Sequence, residues 1–186
     1  MRNIGVISAL YELPLGKGEH FASGFEGFAN GVVSGWSVSG TGYWGSGQPL
    51  ALHPEFNNTG NVLSTLNVDV VPGVNPHVAN PGPNLWFNPA AFSQPADFTM
   101  GDGSPTEPNL FGPSYSSMDL SVNKRLPVGG ERTVELSASA FDFLNHANWN
   151  PPDTGIGPDS APNVNAGRII GSHGGRVVQL GVKLSF

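Results

Sequence analysis

The stretch "RVVQLGVKLSF", residues 176–186, alternates without a break: Val178, Leu180, Val182, Leu184 and Phe186 are apolar, and Gln179, Gly181, Lys183 and Ser185 fall between them. A period of two over that length predicts a strand with one apolar and one polar face. Chain termini normally fray. A hydrophobic strand running to a terminal aromatic therefore needs a partner to stay ordered.

Composition points the same way. The 186 residues are enough to bury a core, and they form a single β segment in this reading. Only 12% are charged, against about 25% in an average soluble domain. Glycine reaches 26 and proline 17, while the apolar content is 38%. No run approaches the roughly 18 consecutive apolar residues of a membrane-spanning helix. Gly, Ser, Thr, Asn and aromatics in place of charges suit short strands joined by long polar loops, as in outer-membrane barrels. Cysteine is absent, which excludes disulfides and thiolate metal sites. The net charge of −6 supplies no basic patch for phosphates, so no nucleic-acid partner is expected. The start "MRNIGVISALYELPLG" offers Arg2 and the run Ile4 to Leu10 as a leader, but Glu12 interrupts it and no small-residue cleavage site follows. It reads better as a strand.

Four further strands are predicted. The first covers about residues 3–13, with Ile7, Ala9, Tyr11 and Leu13 on one face. The second is "GWSVSGTGYWGS", residues 35–46, in which Trp36, Val38 and Trp44 share a parity. The third, "SSMDLSVNKRL" from Ser116, alternates Met118, Leu120 and Val122 with Ser117, Asp119, Ser121 and Asn123. The fourth runs from about Thr133 to Leu144, with Val134, Leu136, Ala138 and Ala140 opposite Glu135, Ser137 and Ser139; its parity breaks at Phe141 and Phe143. "GRIIGS" around Ile170 is read as a short sixth strand or a loop hairpin.

The connections carry direction. Only "PVGGE" separates the third and fourth strands, a tight Gly-rich turn. Residues 47–115 hold 11 of the 17 prolines, five acids and no Lys or Arg. An irregular loop of that length does not belong inside a compact soluble domain unless it is functional. With the last strand (176–186) ending on the periplasmic side, "PVGGE" is periplasmic and the segments 47–115 and about 145–175 are extracellular. Short turns inside and long loops outside match a transmembrane barrel. The connection 14–34 is long for a periplasmic turn; Phe21, Phe25, Phe28 and Val32 recur in it at helical spacing, weakened by Gly24, Gly27 and Gly31. Five strands leave two edges unpaired, and lipid offers no hydrogen bonds to them, so the chain is expected to be the tail of a larger barrel.

"YELPLGKGEHF", "GWSVSGTGYWGSGQPL", "NLWFNPAAF", "SSMDLSVNKRLPVGGERTVELSASAFDFLNHANW" and "GRIIGSHGGRVVQLGVKLSF" resemble the C-terminal end of TonB-dependent receptor-like outer-membrane proteins of the Oar-like type. The resemblance covers most of the chain and is most specific from Ser116 to Trp149. It implies an all-β, antiparallel up-and-down fold in the outer membrane of a Gram-negative bacterium. It also implies a terminal strand, with Val178, Leu180, Val182, Leu184 and Phe186, that the barrel-assembly machinery reads. Such receptors are large barrels of about 22 strands with a plugged lumen. The plug, the TonB-contacting motif and most of the strands are not in this sequence. The implied partners are lipid, the assembly machinery, and the remaining strands and plug of a full receptor. The chain then reads as a piece of a longer receptor, or as a truncated frame in which Met1 is an internal start.

Catalytic motifs are weak, and no cofactor, metal ligand or catalytic residue is assigned. "GPSYS" at Gly112 lacks the last Gly of a nucleophile elbow and precedes a strand. "SHGG" at Ser172 reads as a turn. His20, His53, His77, His146 and His173 show no metal-binding spacing. "DFTMGDGSPTE" gathers Asp97, Asp102 and Glu107 without the calcium-loop pattern. "FDFLNHANWN" contains Asp142, Asn145 and His146, but the resemblance makes this the place where a strand leaves the membrane. Trp36, Trp44, Phe141, Phe143 and Trp149 are then expected to form aromatic girdles. Two rivals stand beside this reading: a secreted or periplasmic β-sandwich or small barrel that binds a ligand, and a metal-dependent hydrolase such as an esterase or lactonase using His146 or His173. In a soluble module the apolar strand faces would have to meet a second sheet.

Overall fold

The computed structural model describes residues 3–60 and 66–186; Met1, Arg2 and residues 61–65 of the Pro-rich connection lie outside them. Among the described residues the elements in chain order are β1 Ile4–Glu12, α1 Gly27–Val33, β2 Trp36–Gly45, β3 His53–Pro54 and β4 Asp69–Val70. There follow a 3-10 turn at Pro89–Ala91, β5 Phe92–Ser93, β6 Tyr115–Gly129, β7 Arg132–Phe141, β8 Gly155–Ile156 and β9 Val177–Ser185. The five long strands make one sheet in the order β1-β2-β6-β7-β9, which is their order in the chain. This is the all-β, up-and-down arrangement expected from the alternation.

Register keeps the two parities apart. Across β6 and β7, Leu120 faces Ala140, Val122 faces Ala138 and Leu126 faces Val134. Across β7 and β9, Val134 faces Leu184, Leu136 faces Val182, Ala138 faces Leu180 and Ala140 faces Val178. The other face is a ladder of polar pairs, Ser121 with Ser139, Asn123 with Ser137 and Arg125 with Glu135, with Glu135 also opposite Lys183. A slip of one residue would exchange every member of these sets, so the pattern specifies the register strongly. The Ser121 hydroxyl donates to that of Ser139 over 2.8 Å. The Ser8 and Thr41 hydroxyls, 3.2 Å apart, continue the polar face onto β1 and β2. That contact places Ile4, Val6 and Leu10 on the polar side, so β1 is apolar on both faces.

"PVGGE" closes β6 onto β7 as expected. The register shifts between Pro127 and Gly129, and Gly129 and Gly130 take φ of +103° and +63°, a region that side chains disfavour. β7 stops at Phe141 because Asp142 turns left-handed, at φ +50°.

The described residues of 45–115 and 147–173, together with Asn3, cluster as a second compact unit. The Pro-rich connection is therefore not an irregular loop. Leu50, Leu52, Val68, Phe87, Ala91, Phe92, Leu110, Ile156 and Ala166 form a buried core within it. β3 pairs with β8 in parallel and β4 with β5 in antiparallel fashion. Asn163 ties the unit internally: its Nδ2 donates to Glu55 Oε1, Asp153 Oδ1 and the Gly155 carbonyl. "GRIIGS" forms no strand; its amides go instead to loop carbonyls, Arg168 to Asn165 and Ile169 to Pro83, and Ser172 bridges to Trp149.

Candidate functional site

All the buried apolar residues of the described chain lie in the loop unit, whereas the sheet exposes its apolar parity. Ile7, Val178, Leu180, Val182 and Leu184 are exposed, and Phe186 is 99% exposed just beyond β9. In water such a surface would be covered by a second layer. Here the sheet is a single layer, apolar on one side and hydroxylic or charged on the other.

Two concavities lie on it. One is an apolar groove of about 610 Å³ walled by Ile7, Ala9, Trp44, Met118 and Leu144, with Gly40 and Gly42 as its floor and Asp142 and His146 among its lining. The glycines create it by carrying no side chain on the apolar parity. The other, about 640 Å³, is polar and takes Glu12, Asn123, Arg125 and Glu135 from the sheet with Lys17 and Glu19 from the connection after β1. Arg125, Glu135 and Lys183 lie in one cross-strand row with alternating sign, a favourable arrangement.

The residues expected in the girdles separate. Trp36 and Trp44 sit at opposite ends of β2 on one face. Phe141 closes β7 opposite Val177, and the Phe143 amide donates to the Met118 carbonyl over 2.6 Å. Trp149 lies in the loop unit, edge-on to Trp86 with ring centroids 6.0 Å apart.

Among the described residues no group of three His, Cys, Asp or Glu is placed to hold a metal ion. Asp102 serves the backbone: its Oδ1 accepts from the Val70 amide and its own amide donates to Asp69 Oδ1. Glu107 has a carboxylate oxygen buried without a partner. Burial pushes its carboxyl above the ordinary carboxylate range, opposed by the hydrogen bond from the Ser104 backbone. His53 lies 3.4 Å from the Thr154 hydroxyl, and the His173 ring stands edge-on to Tyr115.

Sequence reasoning missed Lys124. It occupies the apolar parity of β6 between Val122 and Leu126, yet it is only 4% exposed. The signal was present as one charge in an otherwise apolar register.

A family model described as outer membrane beta barrel domain matches residues 1–179. The chain belongs to that family. Its place is the outer membrane, and an exposed apolar parity is what strands of such barrels carry on their outer side. No match was found among curated proteins or among solved structures.

Proposed function

We propose that this outer membrane barrel domain is the C-terminal strand group of a larger TonB-dependent receptor-like protein of the Oar-like type, that it serves transport, and that it has no catalysis of its own. The observation that carries this is the sheet open at both ends of its order, with β1 and β9 exposed along their lengths. Unpaired backbone groups in hydrocarbon cost several kcal/mol each. Five strands therefore need further strands beside β1 and β9 to close.

The polar ladder and the charged basin around Arg125 and Glu135 suit a wet lumen. β9 and Phe186 would be the segment captured by the barrel-assembly machinery, and the loop unit would face outside and touch the ligand. The test is made on the intact protein in cells. It should reach the outer membrane as a heat-modifiable band, and Phe186→Ala should reduce that band. Loss of TonB should abolish ligand accumulation while leaving the folded barrel in place. A protein that is monodisperse without detergent, or accumulation indifferent to TonB, would refute the proposal.

A further inference from the structure

The connection between β1 and β2 leaves four large apolar side chains exposed: Phe21, Phe25, Phe28 and Val32, with Phe28 at 89%. It also contains α1, only seven residues long and with glycine at Gly27 and Gly31. Such a helix has little stability of its own in water. Its C-terminal end is instead held by the sheet. Lys124 Nζ donates to the carbonyls of Gly31, at 2.6 Å, and of Ser34, and stands 5.3 Å from the centre of the Trp36 ring. Trp36 Nε1 donates to the Val32 carbonyl over 3.0 Å. Carbonyls that a helix leaves unsatisfied at its C-terminus thus meet a cation and an indole N–H, which the helix dipole also favours.

Trp36 and Lys124 both stand on the apolar parity of their strands, so the C-terminal end of α1 is held from the apolar side, while Lys17, Asn30 and Ser34 of the same connection border the polar concavity. A bare cation at that position would be costly in hydrocarbon. Here its charge is spent on helix carbonyls. Within the connection Lys17 Nζ pairs with Glu26 Oε1, just before α1, at 2.9 Å, and the Lys17 amide donates to Asn30 Oδ1 of α1. The connection thus carries both polar groups that border the concavity and four exposed apolar side chains, at the end of a sheet whose family resides in the outer membrane.

We propose that the connection from Leu13 to Ser34 is an interfacial anchor, in which Lys124 and Trp36 clamp α1 so that Phe21, Phe25, Phe28 and Val32 enter the boundary of the adjacent lipid leaflet. In the orientation proposed above this is the periplasmic leaflet. The inference rests on the sheet spanning a membrane and not on transport. Amphipathic segments bind such boundaries through buried apolar area.

This chain has no cysteine of its own, so single spin labels report cleanly once any cysteine elsewhere in the intact protein is replaced by serine. Labels are placed at Phe28→Cys, at Ala138→Cys on the lipid parity of β7, and at Glu131→Cys in the tight turn, in the intact protein in outer-membrane vesicles. Collision with lipid-soluble oxygen is compared with collision with a water-soluble nickel chelate. The Phe28 label should favour oxygen, as Ala138 does, and Glu131 should favour nickel. Adding Lys124→Met should shift the Phe28 label toward nickel and leave Ala138 unchanged. A Phe28 label that behaves like Glu131 overturns the anchor while the Ala138 result keeps the barrel. A Phe28 label indifferent to Lys124→Met overturns the clamp. An Ala138 label that favours nickel overturns both the anchor and the spanning sheet.

Discussion

Placing an arginine at Ala138 tests which face of the sheet meets lipid. Ala138 stands on β7 with Val122 opposite on one side and Leu180 on the other. It lies three residues inside Phe141, the end of the strand. A rise of about 3.4 Å per residue sets it about 10 Å along the strand from that end. A tilt of about 40° reduces this to about 8 Å of depth within an apolar band about 25 Å tall. An arginine costs about 2–4 kcal/mol at the midplane of such a band and about 0–1 at its edges, so Ala138→Arg is expected to cost about 2 kcal/mol. That is about a 30-fold fall in the folded-to-unfolded ratio. Gln179→Arg, on the polar parity of β9 and opposite Ser139, should stay within about 0.5 kcal/mol of the parent. The assay is urea-dependent folding of the intact protein into phospholipid vesicles, followed by tryptophan emission. Equal costs for the two variants, or a larger cost for Gln179→Arg, would refute the assignment of faces.

Phe87→Ala empties a fully buried site that packs edge-on to Phe92; it should destabilise the loop unit by about 3–5 kcal/mol. Faster proteolysis of residues 45–115 with unchanged strand protection is the expected result. The raised Glu107 carboxyl makes the stability of the loop unit depend on pH. That stability is full below the ordinary value of 4.5 and is lost as pH rises through the folded-state pKa. Thermal melts across that window should flatten with Glu107→Gln, and an unchanged slope would count against burial as the cause of the raised carboxyl. Gly35, at φ +71°, has room for no side chain: a Cβ there would stand 2.5 Å from the Arg125 carbonyl oxygen. Gly35→Ala should therefore cost about 1–3 kcal/mol and lower the temperature at which the folded band is lost. Gly24→Ala, with nothing within 4 Å, should not.

The long strands were legible because their signal is local. Alternation in β6, β7 and β9 needs only successive residues, and a shift of one residue would turn every apolar group to the wrong side. β1 was harder, because Ile4, Val6 and Leu10 make both of its faces apolar and only the Ser8–Thr41 contact tells which is which. The core of the loop unit was not legible. Leu50, Val68, Phe87 and Ile156 are far apart in the chain and follow neither period, and their burial comes from turns whose amides bond to distant carbonyls. Trp149 likewise found Trp86 and not a strand end. By itself the sequence determined the strands, their faces and the tight turn at Gly129, since these follow from backbone geometry and residue order. Only the tertiary structure decided that a proline-rich connection folds around its own core and that Lys124, in the apolar register of β6, reaches the carbonyls of Gly31 and Ser34. Such contacts depend on where separate segments meet, and no local pattern of residues encodes that meeting.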